Sequence, residues 1–155
     1  MISPSSISPD VELANALKGA IYVDGGPASG SGEATGTVVP VFSDWEHPTN
    51  DLSPDFIICY LNGDAYGVGM DTPYASGYIM VSLYCKMNDD GSIKKNRIKN
   101  ILKQFDYKVE NLITSNYVFK YDSQRFITPT TPNMTSGYSI TTLNLRWTTN
   151  SNFNI

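Results

Sequence analysis

A Ser-His-Asp or Cys-His relay in this 155-residue chain would have to run through His47, its single histidine. Such relays place the base within hydrogen-bond reach of the nucleophile, and a third group orients the base. His47 stands in Asp44-Trp45-Glu46-His47-Pro48, a polar stretch read as loop, and no Gly-x-Ser-x-Gly elbow occurs in the chain. Cys59 and Cys85 each lie inside an apolar run, where a free thiol behaves as a small hydrophobe. Two cysteines cannot complete a structural zinc site, which takes four ligands.

Carboxylates are more plentiful. Asp44, Glu46, Asp51 and Asp64 all fall in segments that read as loops. Glycoside hydrolysis needs two carboxyls about 5–10 Å apart across a cleft, a separation that chain spacing does not set. Asp89-Asp90-Gly91 lacks the alternating acids and the closing glutamate of a calcium loop. The stretch 25–36 holds five glycines, yet it has no lysine and leads toward a strand-like segment. A phosphate loop needs Gly-Lys-Ser/Thr opening a helix, so nucleotide binding is not expected. The chain reads as an assembly or binding protein with no cofactor, not as an enzyme.

Charge is divided along the chain. The net charge is −4, made up of −10 over residues 1–90 and +6 over residues 91–155. Such asymmetry marks complementary protein surfaces or a nucleic-acid site, unless the fold interleaves the two halves. The basic half concentrates Lys94, Lys95, Arg97, Lys99 and Lys103 on one predicted helix. Good helix formers on a solvated face explain them; an acidic protein surface or phosphate contacts are the alternatives.

The elements that hold these residues follow from periodicity. A short helix is expected from about Pro9 to Lys18, with Ser8 as cap, Asp10 and Glu12 in its first turn and Gly19 as its stop. Ile21–Val23 and Thr37–Phe42 read as strands, the latter at an edge because of Pro40. Phe56–Leu61 reads as a buried strand ended by Asn62-Gly63, followed by an irregular connection to Gly77. Tyr78–Met87 alternates with one wholly apolar face. A second helix, capped by Ser92 and ending at about Phe105, carries Ile98, Ile101, Leu102 and Phe105 as its inward stripe. Tyr117–Tyr121 and Tyr138–Thr148 read as strands, the last with Leu143, Leu145 and Trp147 on one face. Loops are expected near 25–36, where mobility and early proteolysis are expected, and at 128–137. The whole is one α+β domain over 1–155, without internal repeats. No run approaches the ~18 apolar residues of a membrane span, so the protein is expected in a cytoplasm.

The order of these elements is similar to that of the tail-terminator and tail-completion proteins of tailed bacteriophages, and of small neck and tail-ring proteins. The likeness is carried by Leu13 and Leu17, Ile21-Tyr22-Val23-Asp24-Gly25, the Pro-Asp-Phe-Ile-Ile segment at 54–58 and the 78–87 strand. It continues through Asn88-Asp89-Asp90-Gly91 into the helix ending Ile101-Leu102-Lys103-Gln104-Phe105, then to the terminal strand. It covers roughly 10–148 and rests on order and spacing. The resemblance implies a twisted, mostly antiparallel sheet with one helix packed across it and a short N-terminal helix. It further implies a virion subunit assembled in the host cytoplasm as a ring of six or twelve copies, seated between neighbouring neck or tail proteins. No membrane partner is expected, and no nucleic acid apart from DNA passing through the ring. The candidate interface joins Lys94, Lys95, Arg97, Lys99 and Lys103 to Asp44, Glu46, Asp51 and Asp64. A carbohydrate-binding module, with Trp45 and Tyr60 or Tyr66 as stacking platforms, is the alternative.

Both thiols, placed in apolar strands, should resist a thiol reagent in the native protein and react rapidly in denaturant. Fast native labelling of Cys59 or Cys85 would show that the strand placement is wrong.

Overall fold

The computed structural model describes residues 8–23, 36–43, 54–67, 75–110, 112–121, 131–133 and 137–149; the side chains of 62–67, 75 and 131–133 are not described. The fold is α+β, a curled and mostly antiparallel sheet with a short N-terminal helix and a longer helix across it. The helices are α1 (Pro9–Leu17) and α2 (Lys95–Val109). The strands are β1 (Tyr22–Val23), β2 (Thr37–Val38), β3 (Val41–Ser43), β4 (Asp55–Gly67), β5 (Ala75–Lys86), β6 (Leu112–Ile113), β7 (Tyr117–Tyr121), β8 (Thr131–Asn133) and β9 (Tyr138–Thr149). The main sheet runs β3-β4-β5-β9-β7-β6, with β8 also on β9, and β1-β2 form a separate ribbon. In the main sheet β3 pairs with β4 in parallel and the other described pairs are antiparallel.

Alternation builds the core. Ile79, Val81, Leu83 and Cys85 of β5 and Leu143, Leu145 and Trp147 of β9 point to one face and are buried. Both helices cover that face: Leu13 and Leu17 from α1, and Ile98, Ile101 and Phe105 from α2, join the same cluster. In α2 the buried stripe extends to Val109, so the helix outlasts the expected end at Phe105 by one turn. In α1, Pro9 opens the helix and the Lys18 N–H bonds to the Ala14 carbonyl. Gly19 at φ 75° then turns the chain out of it.

Several local expectations are revised. Thr37–Phe42 is two strands, because the chain passes through Val39-Pro40 from the small ribbon to the edge of the main sheet. The Asn62-Gly63 pair does not end its strand. β4 continues to Gly67 with a register shift between Asn62 and Tyr66, since pairing with β5 resumes beyond the irregularity. The segment read as an irregular connection therefore forms the two ends of a long hairpin, and the backbone of Asp64 lies within β4. Ser92 does not cap α2. Its hydroxyl and N–H both bond to Asp90 in the preceding turn, and Lys94 occupies the cap position without a side-chain bond. β8 lies inside the stretch read as a loop at 128–137. Most of the 25–36 loop falls outside the described residues.

Gly77 sits opposite Trp147, and a Cβ built there would meet the indole at 2.8 Å. The glycine leaves room for the ring to lie over the sheet. Gly77→Ala is therefore expected to destabilise the protein by about 1–3 kcal/mol through displacement of Trp147. Urea unfolding measures this, and a stability equal to wild type would show that the ring yields freely.

Candidate functional site

Among the described residues, polar links from Arg97, Gln104 and Asp106 hold α2 to the strands. Near its start the Arg97 guanidinium forms a two-point pair with Asp55 of β4, Nη2 donating at 2.6 Å and Nε at 2.9 Å to the same carboxyl oxygen. The Asp55 side chain is 3% exposed and that of Arg97 25%. At mid-helix the Gln104 amide accepts from the Tyr22 N–H at 2.9 Å and donates to the Tyr22 carbonyl at 2.7 Å. Two residues further on, the Tyr121 hydroxyl of β7 donates to Asp106. The side chain of Gln104 thus satisfies both backbone groups of a strand residue, as a neighbouring strand would.

Asp55 has a second donor. The Cys85 thiol, on the paired residue of β5, gives it a hydrogen bond at 2.8 Å. Burial, then this bond and the Asp55 charge, push the Cys85 thiol up to about 12, while Arg97 and Lys94 pull it the other way. Burial also raises Cys59, helped by the negative charge of Asp10. Both are free thiols whose thiolate is disfavoured, the opposite of a reactive cysteine. A cavity of about 260 Å³ opens beside the ion pair, walled by Val23, Thr37, Val38, Val39 and Pro54.

The acids of the N-terminal helix are likewise turned inward. Asp10 accepts from the Ser8 hydroxyl at 2.6 Å, and Glu12 accepts from the Asn116 N–H at 2.8 Å and its side-chain amide at 2.9 Å. Glu12 so fastens α1 to the turn between β6 and β7. These contacts go beyond the helix-dipole role expected of the two residues.

The candidate cations part company. Arg97 is not an outward-facing member of the basic stripe; its guanidinium lies against Asp55, and Lys94 is half-buried at the helix cap. Lys95, Lys99 and Lys103 are exposed and make no ion pair with the described residues. They recur every four residues, so they form one row along the helix. Cations in a first turn oppose the helix dipole by about 0.3–1 kcal/mol each, and α2 has no acid in its first turn to offset Lys95. Beside the row lies a groove of about 440 Å³, lined by Ile93, Lys95, Asn96, Ile98, Lys99 and Leu102. The groove has an apolar floor and a cationic rim.

Of the candidate acids, Asp44, Glu46 and Asp51 lie outside the described residues, as do Trp45, His47 and the side chains of Asp64 and Tyr66. Tyr60 lies on the sheet face away from the helices, with its hydroxyl 3.2 Å from that of Ser82. The same face carries a cluster in which Phe56 stacks on Tyr84 at 4.7 Å and meets Tyr138 edge-on at 5.5 Å. Among the described residues no group of three or more His, Cys, Asp or Glu is arranged to hold a metal ion. No helix of the described residues is long and apolar enough to cross a membrane.

Sequence reasoning missed the Asp55–Arg97 pair. The available signal was that Asp55 adjoins an apolar run, at the margin of a buried strand, so that its carboxylate required a partner. No family model matches the chain, and the search of curated proteins found no match either. A solved structure whose name states no function is similar in fold, with a TM-score of 0.52 and 11% identity over 72% of this chain and 79% of that one. At that identity the likeness shows the fold alone.

Removing one partner of a buried pair strands the other charge in the interior. Arg97→Met is expected to cost about 3–5 kcal/mol, and adding Asp55→Leu should restore most of that loss. Equilibrium unfolding of the single and double variants checks it; a double variant no more stable than Arg97→Met would refute the account.

Proposed function

We propose that the protein is a structural subunit of a ring in the neck or tail of a tailed-phage virion, where it closes or joins the tail. The observation that carries this reading is the division of labour on α2. One edge of the helix is packed and pinned to the sheet, while Lys95, Lys99 and Lys103 form an outward row. The element order supports it: a short helix, a curled sheet with a long hairpin, and a helix across the sheet are what the resemblance to tail terminators implies. The protein acts by assembly, not by turnover, and takes no cofactor. A head-to-tail contact pairs two different patches, and a ring closes when the rotation per subunit divides a full turn. Charge sets the register and speed of that contact, since an exposed pair contributes only about 0–1 kcal/mol. Neighbouring neck or tail proteins stack on the ring, and DNA meets it only in passing through the lumen.

Electron microscopy tests the reading. Rings of six or twelve copies are expected, either from the purified protein or on virions and assembly intermediates labelled with an antibody against it. A protein that is monomeric in solution and missing from particles overturns the proposal. Saturable binding of that monomer to a glycan array would favour the carbohydrate-binding alternative.

A further inference from the structure

Resting on the ring reading, we propose that the groove beside α2 docks an acidic segment of the protein stacked on the ring. That segment presents a large apolar side chain flanked by carboxylates. The groove itself sets this chemistry. Ile93, Ile98 and Leu102 form its floor, Lys95 and Lys99 its rim, and Asn96 completes the lining around about 440 Å³. That size lies within the ~300–1,000 Å³ of pockets that bury a ligand. The floor residues pack against the core on their inner side, whereas both lysines are exposed and make no ion pair with the described residues. An occupant that satisfies both parts is apolar at its centre and anionic at its margins. Its carboxylates at Lys95 would also meet the positive end of the α2 dipole, where the helix has no acid and no side-chain cap of its own.

Two other occupants fit less well. The phosphates of DNA would pair with the lysines but have no apolar group to seat on Ile93, Ile98 and Leu102, and the net charge of −4 opposes the approach of a polyanion. A second copy would form an interface of the obligate kind, which resembles a divided domain core and is more apolar than the rest of the surface. This lining has three apolar and three polar residues, the mixture found where separately folded proteins meet. The lysine row also suits a chain lying along α2. Lys103 continues it beyond Lys99, and each step of four residues advances about 6 Å. Two residues of an extended segment, or four of a helix, advance by nearly the same distance. Successive carboxylates on one side of the segment therefore meet successive lysines, whose flexible stems take up the remaining mismatch.

Fluorescence anisotropy with two labelled peptides tests the docking, one built of Glu-Glu-Leu-Leu repeats and the other of Glu-Glu-Ser-Ser repeats. Saturable binding of the leucine peptide is expected, roughly ten-fold or more tighter than that of the serine peptide. Lys95→Glu with Lys99→Glu should weaken it roughly ten-fold or more, as attraction gives way to repulsion. Asn96→Trp, which plugs the groove and keeps both lysines, should weaken it to a similar degree. Circular dichroism confirms that each variant is folded. Equal binding of the two peptides, or no binding of either, overturns the proposal. So does a duplex DNA oligonucleotide that binds in place of the leucine peptide and is unaffected by Asn96→Trp. Sedimentation of the Asn96→Trp variant should match that of wild type; a change in association state would make a second copy the occupant and overturn the proposal. Rings without peptide binding would defeat the groove contact and leave the ring reading standing. Peptide binding by a protein that forms no rings would uphold the docking and overturn the ring reading.

Discussion

Burying the carboxylate of Asp55 is the constraint around which this fold is arranged. At the start of β4, next to an apolar strand, that charge needs a cation and further donors to reside in the interior. Arg97 comes from α2, more than forty residues onward, and the Cys85 thiol from the facing position on β5. The pair therefore fixes three things together: where α2 begins its crossing, which edge of the helix faces the sheet, and which strand lies beneath its first turn. The apolar stripe of Ile98, Ile101, Phe105 and Val109 supplies the larger share of attraction but accepts small rotations of the helix. The guanidinium fork does not, because its two-point geometry is directional.

Once Arg97 is committed inward, the remaining basic residues of α2 acquire their orientation. Gln104 and Asp106 fasten the later turns to β1 and β7, so the helix is tied along its length by groups of three different chemistries. Lys95, Lys99 and Lys103 are left on the opposite side. The outward row is thus a by-product of inward bonding, and the same helix serves both as a core element and as a charged surface.

The large elements were legible in the sequence because their patterns are long and regular. The alternation from Ile79 to Cys85 and from Leu143 to Trp147 leaves little choice of structure, and the 98–105 stripe has helical period only. The misreadings sit where a local signal competes with pairing to a distant strand. Asn62-Gly63 is a turn signal on its own, but β5 runs alongside and carries β4 past it. Ser92 is a good cap by type, yet Asp90 two residues earlier claims its hydroxyl and its N–H. At the candidate site, the composition of the basic stripe was legible and its division was not. The fate of Arg97 depends on a carboxylate 42 residues away, a separation that periodicity does not encode.

The place of β9 in the sheet carries a consequence for biosynthesis. It pairs with β5 along its length and with β7 and β8 on its other side, so residues 138–149 form the strand that joins the two parts of the sheet. Until those residues leave the ribosome, β5 presents an unpaired edge and the apolar face of the β4–β5 hairpin lacks half of its neighbours. Such an intermediate is a template for pairing with other nascent chains. The topology therefore makes the synthesis of β9 the step at which the exposed β5 edge of the nascent chain is covered.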